Sequence, residues 1–380
     1  MGAARRLVLL TGATGYVGGK LLPVLAGRGV AVRCVVRDPA RLDTSAFRSV
    51  EVVRGDVLAP ASVEAVMQGV DTAYYLIHSM GARGDFETKD REAAGTFGRA
   101  ARAAGVRRII YLGGLGDPED VLSPHLRSRH EVGEVLRASG VEVIEFRASI
   151  IIGSGSLSFE LARALVERLP VMICPRWVRT PAQPIATGDV LAYLAAALDL
   201  PTGDSRIFEI GGRDRVAYSD IMRAYGRERG LRRWMVPVPV LTPYVSSLWL
   251  GLVTPVYAHI GRRLIEGARN ATIVRDRAAL DAFPIRPVGL RAAIRTALDE
   301  EERAFREKPF SAWLTESECL RPHVSRQVGL RILDTRRLAV AASPAEAFGP
   351  IRRIGGGTGW YYADGLWQAR GRIDRMLGGV

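Results

Sequence analysis

Lysine and cysteine are both scarce in this sequence. Of its 53 basic residues only three are lysines, at positions 20, 89 and 308. The three cysteines lie far apart and form no Cys-x-x-Cys pair: Cys34, Cys174 and Cys319. This spacing excludes a disulfide framework and a cysteine-rich zinc site, so we expect no metal and a reducing, cytoplasmic location.

Clusters of basic residues interleaved with aromatic ones are also missing. The formal net charge is +13, but nearly all of the positive charge is arginine in a chain that is also rich in alanine. Nucleic-acid binding is therefore not expected. A basic surface still attracts a small phosphorylated molecule.

No apolar run is long enough to cross a membrane. Glycines interrupt the N-terminal apolar run within a few residues, unlike a signal peptide. Residues 234–261 carry no Asp, Glu, Lys or Arg, but prolines divide them, and the longest unbroken stretch, 244–254, is well short of the ~20 residues of a spanning helix. We expect a buried or pocket-lining segment, with peripheral membrane contact as the alternative.

Residues 5 to about 150 alternate short β-branched runs with amphipathic patterns of helical period. This alternation predicts an α/β fold of Rossmann type, a doubly wound parallel sheet with helices on both faces. The predicted strands are residues 7–10, 31–36, 50–54, 72–77, 108–112 and 141–146, with a later strand at 206–210.

The pattern loosens after residue 151. Residues 151–185 and 212–300 are expected to form a smaller lobe interleaved with the sheet, and a helix near residue 187 has Thr187 as N-cap and Asp189 in its first turn. The charged, aperiodic residues 301–325 predict a linker between a first domain, 1–300, and an incomplete one, 326–380. In the latter, Ser343-Pro344-Ala345-Glu346 is a capping box with proline at the first helical position.

Gly12-x-x-Gly15-x-x-Gly18 follows the first predicted strand and opens a helix. Glycine at 12 permits a tight turn, glycine at 15 lets amides approach a diphosphate, and glycine at 18 lets helix and sheet pack closely. The helix N-terminus stabilises the negative charge. The turn predicts a dinucleotide-binding site; a purely structural glycine turn is the alternative. The other residues of this site are Thr14, Tyr16 and Val17.

The end of the second predicted strand bears on which nucleotide binds. An acidic residue there binds the adenosine ribose diol, whereas arginine can bind a 2′-phosphate. Arg37 comes first after the strand and Asp38 follows. A charge-assisted contact of ~1.5–3 kcal/mol between Arg37 and the 2′-phosphate would favour binding of NADPH over NADH by roughly tenfold to a hundredfold. NADP(H) is therefore preferred, and NAD(H), bound through Asp38, is the alternative.

Further cofactor contacts are expected where the next strands end. Asp56, followed by Val57, either accepts the adenine amino group or caps a turn. His78 and Ser79 leave the fourth strand and either contact the nicotinamide ribose or cap a loop. Gly113, at the end of the fifth strand, lines the same crevice.

Five segments in order, TGATGYVG, VVRDPARL, GDV, RIIYLGGLG and FRASIIIGSGS, resemble the atypical and extended short-chain dehydrogenase/reductase families, in particular the NAD(P)H-binding, NmrA-like group. Residues 166–194 are similar to its YbjT-like bacterial branch. The resemblance covers about the first 300 residues. The segment SPAEAF and residues 357–380 resemble the start of the domain that follows in that branch, which implies a partial α+β extension of helix-grip type.

In active members of these families a serine follows the fifth strand and Tyr-x-x-x-Lys lies on the next helix. The tyrosine protonates the substrate oxygen, while the lysine lowers the pKa of the tyrosine and binds ribose. By position, Gly113 or Gly114 replaces the serine, His125 the tyrosine and Arg129 the lysine. The resemblance implies that His125 donates the proton and Arg129 anchors the cofactor. The alternative is an ordinary polar helix face above a non-catalytic cofactor.

A largely apolar substrate pocket is expected beside the cofactor. Its predicted lining is Ser149, Ile152, Trp177, Arg179 and the proline-rich residues 236–256, which favours an apolar carbonyl or quinone-like substrate. Packing of the small lobe is the alternative role of Trp177 and the prolines. The sequence thus predicts an NADP(H)-dependent oxidoreductase of atypical short-chain type. The alternative is a non-catalytic NAD(P)-binding regulatory or scaffold protein, such as an NmrA-like sensor or a complex I accessory subunit.

Overall fold

The structure is a computed structural model that describes residues 6–77, 86–201, 203–238, 266–307, 323–328, 331–336, 338–355 and 357–376. The chain divides into two compact units, Met1–Glu307 and Lys308–Val380.

A seven-stranded sheet forms the centre of the first unit. Its strands are β1 Leu7–Thr11, β2 Ala31–Val36, β3 Val50–Arg54, β4 Thr72–Tyr75, β5 Arg108–Gly114, β6 Glu142–Ala148 and β11 Arg206–Ile210. They lie in the order β11-β6-β5-β4-β1-β2-β3, and each is parallel to its neighbours. The order reverses beside β1, so a crevice opens at the carboxyl ends of β1 and β4. The predicted doubly wound parallel sheet is confirmed.

Helices cover both faces of this sheet. They are α1 Tyr16–Gly27, α2 Pro60–Met67, α3 Phe86–Ala103, α4 Pro124–Ala138 and α6 Thr187–Ala196. Successive strand residues point to opposite faces, so Leu10 and Phe146 pack with α1 and α6, while Leu9 and Val143 pack with α2, α3 and α4. Burial on both faces explains why these strands have nearly continuous apolar sequences.

A smaller lobe is interleaved with the sheet, as predicted. Its elements are β7 Ile151–Ile152, α5 Leu157–Arg168, β8 Val171–Cys174, β9 Pro181–Ala182, β10 Ile185–Ala186, β12 Val216–Ala217, α7 Tyr218–Glu228, β13 Trp234–Pro237, α8 Ala278–Ala282 and α9 Leu290–Glu307. Phe159, Tyr225 and Ile294 join α5, α7 and α9 in a separate apolar core. Among the described helices, none is long and apolar enough to cross a bilayer.

Two local predictions are corrected. Residues 301–307 of the predicted linker are helical, because their mixed charge lies along the solvent side of α9, where Glu302 and Arg306 pair one turn apart. The remaining domain boundaries stay predictions. Thr187 is the first residue of α6 and not its N-cap, since its hydroxyl donates to the Ile152 carbonyl at 3.1 Å. Asp189 lies in the first turn, as predicted.

The second unit contains an antiparallel hairpin and two helices. The hairpin pairs β14 His323–Val328 with β15 Arg331–Arg336, and the helices are α10 Pro344–Arg352 and α11 Asp364–Met376. The capping box is confirmed: the Glu346 amide donates to Ser343 Oγ at 3.4 Å, and the Ser343 amide donates to the Glu346 carboxylate at 2.9 Å. The helix-grip topology stays a prediction.

Candidate functional site

The turn between β1 and α1 has space only for glycine at its critical positions. Gly12 has a φ of +72°, and a Cβ there would lie 2.5 Å from the Leu76 carbonyl oxygen. A Cβ at Gly18 would lie 2.2 Å from the Gly12 carbonyl oxygen. Helix α1 therefore starts in backbone contact with the turn, at the carboxyl edge of the sheet where the crevice opens.

The N-terminus of α1 is suited to an anion. Gly15 is its N-cap, has no side chain and donates its amide to Gly12 O at 2.8 Å. Gly15 and Thr14 are exposed, and the first amides of a helix have no intrahelical partners. The partial positive charge of the helix end adds to their attraction for phosphate. The residues present therefore fit the diphosphate of a dinucleotide.

Tyr16 links this turn to the lobe. Its hydroxyl lies 2.7 Å from Thr187 Oγ1, and burial raises the pKa of Tyr16 to about 12, so the phenol keeps its proton. A Cβ at Gly153 would lie 2.3 Å from that hydroxyl. Val17 packs against the apolar core on the face of the sheet that α1 and α6 cover. Tyr16 and Val17 are thus placed by packing, and their amides belong to the first turn of α1.

Thr11 is a residue of this region that sequence reasoning missed. Its buried hydroxyl donates to the Tyr74 carbonyl at 2.7 Å and accepts from the Leu76 amide at 3.2 Å. These bonds hold the ends of β1 and β4 together beside Gly12. A polar residue ending an otherwise apolar strand is the only sequence signal.

At the end of β2 the structure distinguishes Arg37 from Asp38. Arg37 is exposed and makes no hydrogen bond or ion pair with any residue that the structure describes. The Asp38 carboxylate accepts the Ala40 amide at 3.2 Å and caps the short 3₁₀ turn Pro39–Arg41. The guanidinium is therefore available to a ligand, while the carboxylate already holds a turn.

Asp56 also serves in a turn. Its carboxylate accepts the Leu58 amide at 3.1 Å, and its own amide donates to Ser62 Oγ at 3.1 Å. Val57 packs against the core on the α2 side. The adenine contact of Asp56 stays a prediction. The predicted contacts of His78 and Ser79 lie outside the described residues.

The strand end that carries a serine in the resembling families has little room for one here. A Cβ at Gly114 would lie 2.8 Å from Leu126 Cδ2 of α4. One at Gly113, which is buried, would lie 3.3 Å from the Tyr111 ring and 3.4 Å from Glu145 Oε1. Side chains of α4 thus limit the space at position 114, and neighbouring residues of β5 and β6 limit it at position 113.

The two predicted catalytic residues lie one helical turn apart on α4. Ser123 caps this helix by accepting the Leu126 amide at 3.4 Å, and His125 is half-buried in its first turn. Arg129 donates to the Leu112 carbonyl and lies over the Tyr111 ring, 5.3 Å from its centroid. The guanidinium therefore lies at the end of β5, and its role as a cofactor anchor stays a prediction.

His130 is a second residue that sequence reasoning missed. Its Nε2 lies 3.1 Å from the Gly114 carbonyl oxygen. Burial, with the nearby Arg147 and Arg137, lowers the pKa of His130 to about 4. The imidazole is therefore neutral at pH 7 and donates to Gly114. His125 and His130 are five residues apart on one helix, and only packing distinguishes their environments.

A buried charged group lies against α4 at Gly133. The Glu145 carboxylate is fully buried and accepts from Arg147 Nε at 2.7 Å and from Arg137. A Cβ at Gly133 would lie 2.3 Å from Glu145 Oε2, so a glycine in α4 makes room for the carboxylate. Within the described ranges, no group of His, Cys, Asp and Glu could hold a metal ion.

Residues 12–150 match the model of a protein family described as NAD(P)H-binding. The chain contains an NAD(P)H-binding domain. Ceramide reductase of Caulobacter vibrioides is 28% identical over 240 residues, which are 62% of this chain and 74% of that protein. The photosystem II assembly factor Ycf39 of Trieres chinensis is 22% identical over 246 residues, 64% of this chain and 75% of that protein.

Triphenylmethane reductase of Citrobacter sp., solved with NADP(H), has the same fold. It superposes with a TM-score of 0.62 at 17% identity, covering 77% of this chain and 99% of that one. The family match thus confirms an NAD(P)H-binding domain, and the superposition shows that the chain shares the fold of this reductase.

The predicted pocket residues lie beyond the NAD(P)H-binding domain or at its end. Ser149 Oγ lies 2.7 Å from Thr272 Oγ1, and Ile152 is buried in the lobe core. The Trp177 ring packs edge-on against Tyr218 with centroids 5.9 Å apart. Its Nε1 is buried and has no hydrogen-bond partner in the described part of the chain. Arg179 is exposed at the end of a 3₁₀ turn.

The proline-rich part of the predicted lining is only partly described. Val236 and Pro237 are exposed in β13, and residues 239–256 lie outside the described ranges.

Two neighbouring glutamates of α9 form ion pairs, one with the NAD(P)H-binding domain and one within the lobe. Lys20 of α1 pairs with Glu300 at 3.0 Å, and Arg163 of α5 pairs with Glu301 at 2.7 Å. Arg163 is buried and also pairs with Glu160 at 3.1 Å, whose carboxylate accepts the Gly155 amide. Two neighbouring carboxylates of α9 thus contact both the cofactor helix and the lobe.

Proposed function

We propose that the protein is an NADP(H)-dependent oxidoreductase that acts on an apolar carbonyl or quinone-like compound. The glycine turn carries the proposal, because Gly12, Gly15 and Gly18 leave the amides at the start of α1 open to a diphosphate. The name of the Caulobacter vibrioides relative, a ceramide reductase, supports an apolar substrate. The buried free cysteines Cys34 and Cys174 support a reducing, cytoplasmic location.

The preference for NADP(H) rests on Arg37. Its guanidinium has no partner among the described residues, whereas Asp38 caps a turn. Arg37→Gln is expected to weaken NADPH binding about tenfold to a hundredfold and to leave NADH binding unchanged, measured by calorimetry. Arg48→Gln, at the opposite, amino end of the sheet, is the matched control. Equal loss for both nucleotides would refute the 2′-phosphate contact.

In this proposal the protein donates a proton to the substrate beside the bound cofactor. Bound NADPH supplies the hydride. His125, half-buried in the first turn of α4, donates the proton to the substrate oxygen, and Arg129 holds the cofactor edge at the end of β5. Close packing leaves little space for a serine side chain at Gly114, so an isolated ketone would lack its usual hydroxyl partner. A quinone-like acceptor, whose reduced oxygen is stabilised by conjugation, suits this site better.

The test is NADPH consumption with a panel of quinones, aldehydes and ketones. His125→Gln is expected to lower turnover about a hundredfold or more while NADPH still binds. His323→Gln, exposed in the second unit, is the control. Unchanged turnover in His125→Gln would remove the proton-donor role.

A non-catalytic NAD(P)-binding regulatory or scaffold protein is the second candidate. Two observations favour it: the Arg129 guanidinium is occupied by the Leu112 carbonyl, and one relative is named as an assembly factor. NADPH binding without consumption across the whole panel would select this candidate.

A further inference from the structure

Strands β8 and β13 form a two-stranded parallel ribbon with one face in water. Trp234 pairs with Val171 and Val236 with Ile173. Because strand residues alternate between faces, Met172 points into the lobe core while the neighbouring residues point outward. The outward side chains and their exposed fractions are Val171 51%, Ile173 46%, Trp234 74% and Val236 45%.

This outer face is wholly apolar. Single exposed apolar residues are ordinary on a protein surface, but four adjacent ones on a regular ribbon form a continuous patch. Trp234 is the most exposed of the four, and tryptophan is enriched where proteins meet the headgroup region of a bilayer. Val236 leads into residues 237–261, which carry no charged side chain.

Arginines flank the two strands of the patch in sequence, and the stretches of sequence that contain these strands have no acidic residue. Residues 168–188 and 229–265 contain no Asp or Glu. Arg232 and Arg233 come directly before β13, and Arg176 and Arg179 follow β8. Among the described residues, Arg233 donates to the backbone carbonyls of residues 166, 167 and 232.

The other three arginines have no acidic partner among the described residues: Arg176, Arg179 and Arg232. Basic residues at both ends of the apolar patch are therefore not neutralised within the described protein. They complement an anionic surface.

We propose that the outer face of the β8–β13 ribbon docks on an anionic lipid bilayer. Trp234 and its three apolar neighbours enter the headgroup region, and the arginines contact lipid phosphates. A second copy of the chain fits this face less well, because a two-fold contact brings the same unpaired arginines together. The proposal goes beyond the oxidoreductase function and does not depend on it.

The experiment is flotation of the full chain with vesicles of phosphatidylcholine, with or without about one third phosphatidylglycerol. Binding is expected only with phosphatidylglycerol and is expected to weaken with salt. Arg232→Gln combined with Arg176→Gln should lower the apparent affinity about 25-fold, about fivefold for each arginine. Trp234→Gln combined with Ile173→Thr should lower it about tenfold or more.

Two controls keep the test specific. Val121→Thr changes a side chain that is 96% exposed elsewhere in the first unit and should leave binding unchanged. Thermal unfolding checks that each variant is folded.

Absence of binding to phosphatidylglycerol vesicles, or equal loss in Val121→Thr, would overturn the proposal. So would loss of binding on changing the exposed, stacked Trp360 and Trp367 of the second unit while the ribbon variants still bind.

Self-association is the remaining outcome. If light scattering without lipid shows a dimer that Trp234→Gln dissociates, the face is an interface between copies and the bilayer proposal fails.

Discussion

Replacing Gly18 by alanine tests the physical basis of the cofactor site. The added Cβ would lie 2.2 Å from Gly12 O, 2.7 Å from Gly12 C and 3.1 Å from Ala13 N. All three are backbone atoms, so no side-chain rotation relieves the contact. The start of α1 must move away from the turn by about 1 Å to restore ordinary van der Waals separation.

The expected cost follows from that displacement. Overpacking of a rigid site costs about 1–3 kcal/mol or more, which corresponds to a decrease in Tm of about 3–10 °C in a unit of this size. The same movement displaces the amides that are proposed to contact the diphosphate. Binding of NADPH should therefore be lost together with its stabilising effect on Tm.

Gly27→Ala is the matched control on the same helix. A Cβ at Gly27 has no neighbour within 4 Å, and alanine is favoured over glycine in helices by about 0.5–1 kcal/mol. This variant should have a slightly higher Tm and unchanged NADPH affinity.

The assay is thermal unfolding with and without NADPH, together with calorimetric titration. If Gly18→Ala binds NADPH within about twofold of the unmodified protein and unfolds at the same temperature, close approach of α1 to the turn is not required. The diphosphate assignment would then be wrong.

Three further predictions concern buried polar groups. Arg108→Met removes the ion-pair partner of Glu142, whose side chain is 9% exposed, and should cost about 3–5 kcal/mol in urea unfolding. Arg107→Gln at a more exposed pair should cost at most about 1 kcal/mol. Equal costs would contradict the argument from burial. The pKa of His130 is lowered from 6.5 to about 4, so the unfolded state takes up the proton first and stability should fall from pH 6.5 to 4, less steeply in His130→Gln. Identical pH profiles would show that His130 is not buried as described. Tyr16→Phe removes the hydroxyl contact with Thr187 and should cost about 0.5–1.5 kcal/mol without loss of NADPH binding, as Tm and calorimetry would show.

The sequence predicts the sheet well because its strands are buried on both faces. The bounds of β2, β3 and β11 are those predicted. Buried charged residues are the feature of the fold that no pattern of apolar residues predicts. Arg108 is fully buried within β5, and it is accommodated by Glu142 on the adjacent strand and by carbonyls of residues 197, 200 and 201. Those partners are 34 to 93 positions away in sequence.

The candidate site likewise has features that the sequence predicts and features that it does not. The glycine turn could be predicted because its requirements are local: a strand, a turn with positive φ and a helix start. The surroundings of Gly114 and Arg129 could not, because they depend on how closely α4 packs against β5. Thr187 illustrates the same limit, since a threonine at a helix start suggests a cap, while its actual partners, Tyr16 and Ile152, are distant in sequence.

The adjacent glutamates Glu300 and Glu301 of α9 bear on where the chain can be shortened. A protein ending at Glu307 keeps both contacts, to Lys20 and to Arg163. A protein ending at residue 300 deprives Arg163, whose side chain is 3% exposed, of one of its two carboxylates. Because α1 and α5 each form an ion pair with adjacent residues of α9, a displacement of either helix would be transmitted to the other through four side chains.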